Sequence, residues 1–269
     1  MEHTDFNPAQ FYATYPKEII LRPGYPARAQ YKSTLLWDLW GHQIMKYLGD
    51  CMSYADIGGC FGFCANSMAY QIFCSQGKYP QTKVFEIVPE FINIGKQLFP
   101  YIDFIKEDFN YYDGDPVVFD LITMFDIIEH VPNPDAFLSG VAKKTRLVLI
   151  KTPMETGGDW WGAKPPKNQG YEHPDGHINF FSPTEYLKIL KRNGIEIISG
   201  KFVKSIIPKG AIRILEPESK PAYKSEKINY KKRSLNFLKY WAPFPVTRRI
   251  FGGGDHICLA KTQLLYSER

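Results

Sequence analysis

The sequence predicts an α/β protein built on a doubly wound, mostly parallel sheet, and three observations carry that prediction. Short apolar runs alternate with segments of helical periodicity along most of the chain. A glycine turn, Asp56-Ile57-Gly58-Gly59-Cys60-Phe61-Gly62, joins the first such run to the first such helix. Acids recur at the ends of three successive strands, Asp56, Glu86 and Asp108, which packing alone does not require.

The elements follow in order. Residues 1–50 form an arm punctuated by Pro8, Pro16, Pro23 and Pro26, and a helix is expected over 33–48. Met52–Ala55 reads as a buried strand, and Ala65, Met68, Ala69, Ile72 and Phe73 recur at helical spacing after the turn. Strands are expected at 82–86, 102–105, 117–124 and 145–151, with helices opening at Pro89-Glu90 and Asn133-Pro134-Asp135. Ser182-Pro183-Thr184-Glu185 is a helix start with a capping box, and Asn193-Gly194 is its stop. Strands six and seven are expected at 195–203 and 256–262, and the stretch between them is too long for a hairpin. The expected organisation is therefore an arm (1–50), a core (51–203), an insertion (204–254) and a last core strand (255–269).

At 269 residues, 44% hydrophobic and 23% charged, the chain can bury one large core with an appended lobe. No run approaches the roughly 18 apolar residues of a membrane-spanning helix. Met1-Glu2-His3-Thr4-Asp5 lacks the basic and apolar regions of a signal peptide, so the expected compartment is the cytosol. Five cysteines without a C-x-x-C pair fit reduced structural thiols better than a disulfide framework or a zinc knot. The bland reading also outweighs a metal shared by Cys60 and Cys64. The net charge of +5 is uneven, because 201–250 holds 13 Lys/Arg against 3 Asp/Glu. Lys231-Lys232-Arg233 and Arg248-Arg249 interleave there with Phe237, Tyr240, Trp241 and Phe244. That pattern suits a pyrophosphate-linked sugar, a peripheral membrane contact, single-stranded RNA or a solvated lid, and the last is the plainest reading.

The glycine turn allows positive φ at Gly58 and Gly62 and close approach of the backbone to a ligand. The helix that follows offers free N–H groups, which a dinucleotide pyrophosphate would use. Asp56 would repel that pyrophosphate and would favour a cationic ligand. S-adenosylmethionine, with its ammonium and sulfonium, matches the charge pattern. Glu86, 24 residues beyond Gly62, is placed to accept ribose hydroxyls, and Asp108 with Phe109 suits an adenine amine and its ring.

The succession D56-I-G-G-C-F-G62, V-F-E86-I, E-D108-F and F-D-L-I-T-M-F-D126-I-I-E129-H130-V resembles the class I S-adenosylmethionine-dependent methyltransferases. The likeness runs from Tyr54 to Gly200 and resumes at the last strand. It implies a Rossmann-like, seven-stranded, mostly parallel sheet with an antiparallel last strand. It also implies that Gly58, Gly59 and Gly62 cradle the methionine part, Glu86 binds ribose, and Ile87 packs on adenine. Asp108 and Phe109 would complete the adenine site, and Phe125 would border the cofactor. The family's central glycine is Cys60 here.

The end of the fourth strand indicates the acceptor. The Asn/Asp-Pro-Pro-aromatic turn of nucleic-acid amino methylation and the Pro-Cys nucleophile of cytosine-C5 methylation are both absent. Asp126, Glu129 and His130 stand there instead, spaced for one face of an incipient helix. A sulfonium is already a good leaving group, so the protein must mainly align the acceptor and, for a hydroxyl, remove its proton, for which His130 is the natural base. The same trio resembles the acid-x-x-Glu-His pattern of quinone-pathway and small-RNA 2′-O-methyltransferases. With His177 it would form a magnesium site of Asp126, Glu129, His130 and His177; the alternative is that Glu129 and His130 merely cap and pack.

Trp160, Trp161, Tyr171 and His173 fall on the loop after the fifth strand, where such sheets build acceptor sites. The expected function is O-methylation of a hydroxyl on a small molecule, sugar or glycan. The alternatives are RNA ribose 2′-O-methylation and a cofactor-binding scaffold without turnover; the sequence does not give the oligomeric state.

Overall fold

The computed structural model describes residues 7–14, 24–154, 169–173, 175–203 and 254–265. The basic aromatic stretch 204–253 and Trp160 and Trp161 lie outside the described residues, as does the Tyr171 side chain. Seven strands form one sheet: β1 (Ser53–Ile57), β2 (Gln81–Phe85), β3 (Asp103–Ile105), β4 (Phe119–Phe125), β5 (Thr145–Pro153), β6 (Glu196–Val203) and β7 (Asp255–Lys261). Their order is β3-β2-β1-β4-β5-β7-β6. β7 runs antiparallel to both of its neighbours and every other pairing is parallel.

The helices are α1 (Pro8–Ala13), α2 (Gly24–Leu48), α3 (Phe63–Gln76), α4 (Pro89–Leu98), α5 (Pro134–Ala142) and α6 (Pro183–Arg192). Alternate residues of the central strands feed two cores, one on each face of the sheet. Leu147 and Leu149 of β5 pack with Trp37, Trp40, Ile44, Met68 and Ile92. Val148 and Ile150 face the other way, onto Phe137, Leu138, Tyr186 and Leu190. Three layers result, with the sheet in the middle.

Local chemistry sets several boundaries. Ser182 and Glu185 make the capping box in both directions, and Gly194 takes φ +79 just beyond α6. α2 begins nine residues before the expected position 33, at Gly24, with Pro26 in its first turn, where a missing N–H costs no helix bond. β4 starts at Phe119 rather than 117. β1 extends to Ile57, which draws Asp56 into the strand. The strand order turns back between β1 and β4, and the carboxyl ends there open a crevice.

Candidate active site

A cavity of about 630 Å³ occupies that crevice, within the range of small-molecule sites. Successive strand ends supply Gly58, Glu86, Asp126 and Lys151, and Asp108 follows β3. Asp255 joins them from the start of β7, because an antiparallel strand brings its amino end to this edge.

Gly58 has φ +65 and lines the cavity, and a Cβ there would run into Ile127 Cδ1. Gly62, at φ +85, is the N-cap of α3, and a Cβ on it would sit 2.8 Å from the Phe104 ring. Neither Gly62 nor Gly59 lines the cavity; a Cβ on Gly59 would lie 2.7 Å from Asp56 Oδ2. Cys60 adopts the left-handed backbone itself, φ 51, and its N–H donates to Glu86 Oε2 at 3.0 Å. Burial pushes the Cys60 and Cys64 thiols up, and Cys64 Sγ donates to the Ala29 carbonyl at 3.4 Å, as structural thiols do.

Asp56 corrects one expectation, since it lies beneath the turn rather than in the cavity and is 2% exposed. Its register opposite Thr123 explains its one bond, accepted from Thr123 Oγ1 at 2.6 Å. Oδ2 has no hydrogen-bond partner among the described residues. Burial pushes its pKa up to about 7, against the lowering effect of the Thr123 hydroxyl.

Glu86 does reach the cavity. Its Oε1 accepts from Ile87 N–H (2.7 Å) and Val88 N–H (2.9 Å), and burial raises its pKa despite these backbone donors. With Cys60 N–H on Oε2, three of a carboxylate's roughly four acceptor positions are taken, so room remains for one ligand hydroxyl rather than two. Asp108 caps a single 3₁₀ turn, Phe109–Tyr111, accepting from Asn110 N–H at 2.9 Å. Phe109 packs edge-on to Phe85, 4.9 Å between centroids, and both line the cavity with Ile87 and Phe125.

Asp126 corrects a second expectation. It takes φ 60 and only Ile128–His130 form a 3₁₀ turn, so Asp126, Glu129 and His130 do not share a helix face. Two lysines claim the Asp126 carboxylate: Lys32 Nζ donates to Oδ2 at 2.8 Å and Lys151 Nζ to Oδ1. Burial alone would raise its pKa, but the two ammoniums hold it well below the usual carboxylate range. Lys151 also pairs with Asp255 at 3.1 Å, and those acids outweigh burial and raise its pKa.

His130 and His177 do meet, with ring centroids 4.7 Å apart. His130 Nδ1 lies 3.2 Å from the Gly176 carbonyl, which assigns the proton to Nδ1 and the lone pair to Nε2. Burial, then His177, pulls the His130 pKa down to about 4, so the ring is neutral near pH 7. Glu129 Oε1 lies 3.9 Å from Nε2. His173 stacks on His177 at 4.4 Å, and its Nδ1 accepts the N–H groups of Asp175 and His177 at 3.2 and 3.3 Å. A loop hydrogen bond therefore accounts for His173, while Tyr12 and Asp175 line the cavity beside His177.

Comparison with known proteins gives the family of the chain. The family described as the methyltransferase domain matches residues 34–199. The chain belongs to the methyltransferase family. It is a class I S-adenosylmethionine-dependent enzyme. No curated protein matches the sequence. Among solved structures, magnesium protoporphyrin IX methyltransferase from Synechocystis PCC 6803 with bound SAM is 11% identical, with TM-score 0.52 and 95% of each chain covered. Geranyl diphosphate C-methyltransferase from Streptomyces coelicolor A3(2) is 12% identical, with TM-score 0.54, covering 84% of this chain and 79% of that one. The N-terminal domain of EvdMO1, crystallised in the presence of SAH and D-fucose, is 11% identical with TM-score 0.51, covering 90% and 84%.

In this methyltransferase the expected magnesium site does not fit the residues. Among the described residues, Glu129, His130 and His177 bring ligand atoms within 4.8 Å of one another, but Asp126 is held by its lysines. One carboxylate and two imidazoles do not suit a cation that prefers oxygen ligands. Sequence reasoning did not single out Tyr12, Lys32, Lys151 or Asp255. Of these only Lys151 left a signal, a charge directly after the apolar run Leu147–Ile150.

Proposed function

We propose that this methyltransferase transfers the methyl group of S-adenosylmethionine to a hydroxyl oxygen of a small molecule, sugar or glycan. His130 carries the reading: a neutral imidazole bordering the cavity, its Nδ1–H given to Gly176 and its Nε2 left to take a proton. The donor, when bound, supplies an electrophilic methyl on a sulfonium leaving group. Asp108 and Phe109 would hold its adenine, Ile87 would cover the ring, and Glu86 would take one ribose hydroxyl. At the other end, His130 removes the acceptor proton, and Glu129 offsets the imidazolium charge that develops. His177 supports the His130 ring, and α1 covers this end of the cavity as a lid. The EvdMO1 domain crystallised with SAH and D-fucose makes sugar hydroxyls the first acceptors to screen.

The test is methyl transfer to a panel of sugars and glycosides by the parent protein and His130→Gln. Loss of a general base lowers kcat by about 10²- to 10⁴-fold while affinity for S-adenosylhomocysteine stays within about twofold. Parental turnover by His130→Gln would remove His130 as the base. No transfer to any hydroxyl acceptor, with donor binding intact, would favour the scaffold reading.

A further inference from the structure

Lys144 has a role that the methyltransferase reading leaves unassigned. It follows the end of α5 and does not line the cavity. Its backbone is fixed on both sides, because its N–H donates to the Val141 carbonyl at 3.0 Å and its carbonyl accepts from Phe119 N–H at 2.8 Å, where β4 begins. From that base the side chain reaches back across more than thirty residues of chain. Nζ donates to the carbonyls of Phe109 (3.0 Å), Asn110 (2.8 Å) and Tyr112 (2.5 Å). An ammonium carries three donors, so all of them are spent on one turn. The same Nζ lies 5.5 Å from the centre of the Phe109 ring, within reach of its negative face. Burial lowers the Lys144 pKa, and the charges of Glu107, Asp108 and Asp113 act against that.

This turn is the one that brings Asp108 and Phe109 to the cavity. Its own bonds are few: Tyr111 N–H to the Asp108 carbonyl at 2.9 Å, Tyr112 N–H to the Phe109 carbonyl at 3.3 Å, and Asn110 N–H to Asp108 Oδ1. A single 3₁₀ turn with so little internal bonding does not hold its shape alone, so a tie from outside decides where its side chains sit. Asn110 seats the turn on α5 over Gly140, where a Cβ would run into Asn110 Oδ1. Lys144 closes it from the end of the same helix, gathering the carbonyls as a cation does at a helix C-terminus. With Oδ1 engaged by Asn110, Oδ2 is the Asp108 oxygen left to a ligand. We propose that Lys144 is a positioning residue for the base of the methyl donor: its clasp on the three carbonyls holds the Asp108 carboxylate and the Phe109 ring where they tell a 6-amino group from a 6-oxo group. Without the ammonium the carbonyls turn to water and Asp108 is free to swing from its place. The clasp rests on the reading that Asp108 and Phe109 hold the adenine.

Titration calorimetry with two ligands tests it. S-adenosylhomocysteine presents amino donors to Asp108, whereas S-inosylhomocysteine presents a carbonyl oxygen at the same point and is otherwise alike in its ribose and amino-acid parts. The parent is expected to prefer the adenine ligand by about tenfold or more, since a site built to accept from an amine rejects an oxygen. Lys144→Met keeps the apolar stem and is expected to weaken S-adenosylhomocysteine about five- to tenfold, to leave S-inosylhomocysteine within about twofold, and so to bring the preference down to about twofold. Lys144→Arg, which keeps the charge and the donors, is expected to restore most of the preference. Lys144→Gln, with two donors and no charge, is expected to fall between, and gives the same reading if the Met variant does not fold. Equal weakening of both ligands, as a merely structural role would give, overturns the clasp, and so does an undiminished preference in Lys144→Met. A parent that does not distinguish the two ligands overturns the adenine reading of Asp108, and the clasp with it.

Discussion

The Tyr12 hydroxyl lies 3.1 Å from Nε2 and 3.2 Å from Nδ1 of His130. Near-equal distances put the oxygen over the imidazole rather than on the in-plane lone pair, and its proton goes to the Asp175 carbonyl at 2.9 Å. Phe11 packs against Gly176, where a Cβ would sit 2.7 Å from its ring, and the Gly176 carbonyl in turn takes the Nδ1–H of His130. One short helix, α1, thus steadies both the face of the ring and the loop that fixes its tautomer.

Tyr12→Phe is expected to keep the ring contact and lose the Asp175 bond, lowering kcat about three- to tenfold with little change in acceptor KM. Tyr12→Ala also removes the cover over His130 and is expected to raise acceptor KM. Donor affinity should be unchanged in both, as read by calorimetry. Parental steady-state kinetics in both variants would separate α1 from catalysis.

Asp56 predicts a pH dependence of stability. Its pKa is about 7 in the folded chain and near ~3.9 when unfolded, so between those values the folded state binds more protons. This group's contribution is therefore largest below about pH 4, falls as pH rises, and levels off above about pH 7. His130 acts in the opposite sense, since its pKa falls to about 4 on folding, so the informative quantity is a difference between variants. Asp56→Asn should gain stability over the parent from pH 5 to pH 8 in urea unfolding of donor-free protein. A constant difference across that range would mean that Asp56 is already ionised at pH 5.

The fold was largely legible because its signals are local. Apolar runs located all seven strands to within a few residues, and the Ser182–Glu185 cap formed as its spacing implied. The start of α2 was missed because Pro26 reads as a break when it sits in a tolerant first turn. In the site, Glu86, Asp108, His130 and His177 follow from motif order and line one cavity. Tyr12 and Lys32 did not, since their partners lie 118 and 94 residues away and only tertiary structure joins them. Asp126 was placed on a helix face because i, i+3, i+4 spacing presumes helical dihedrals, which its backbone does not have.

The poor fit of magnesium gives a direct prediction. With Asp126 committed to Lys32 and Lys151, turnover should not depend on a hard divalent cation. Dialysis against EDTA, followed by assay with and without added Mg²⁺, should leave kcat within about twofold, the scale of modest salt effects on exposed charges. A chelator-sensitive activity restored by Mg²⁺ would require the lysines to release Asp126 during the reaction.

The two lysines on Asp126 should differ sharply in what they contribute to folding. Lys151 is 9% exposed, and removing it takes this cation from the largely buried Asp255 and leaves Asp126 with Lys32 alone. Stripping one partner from a buried pair costs about 3–5 kcal/mol, so Lys151→Ala should lower the melting temperature by roughly 6–20 °C. Lys32 is more exposed, and Asp126 keeps Lys151 when Lys32 is lost, so Lys32→Met should cost no more than about 1 kcal/mol. Thermal melts of the two donor-free variants check the contrast. Similar losses for both would show that Lys32, rather than Lys151, holds the charge of Asp126.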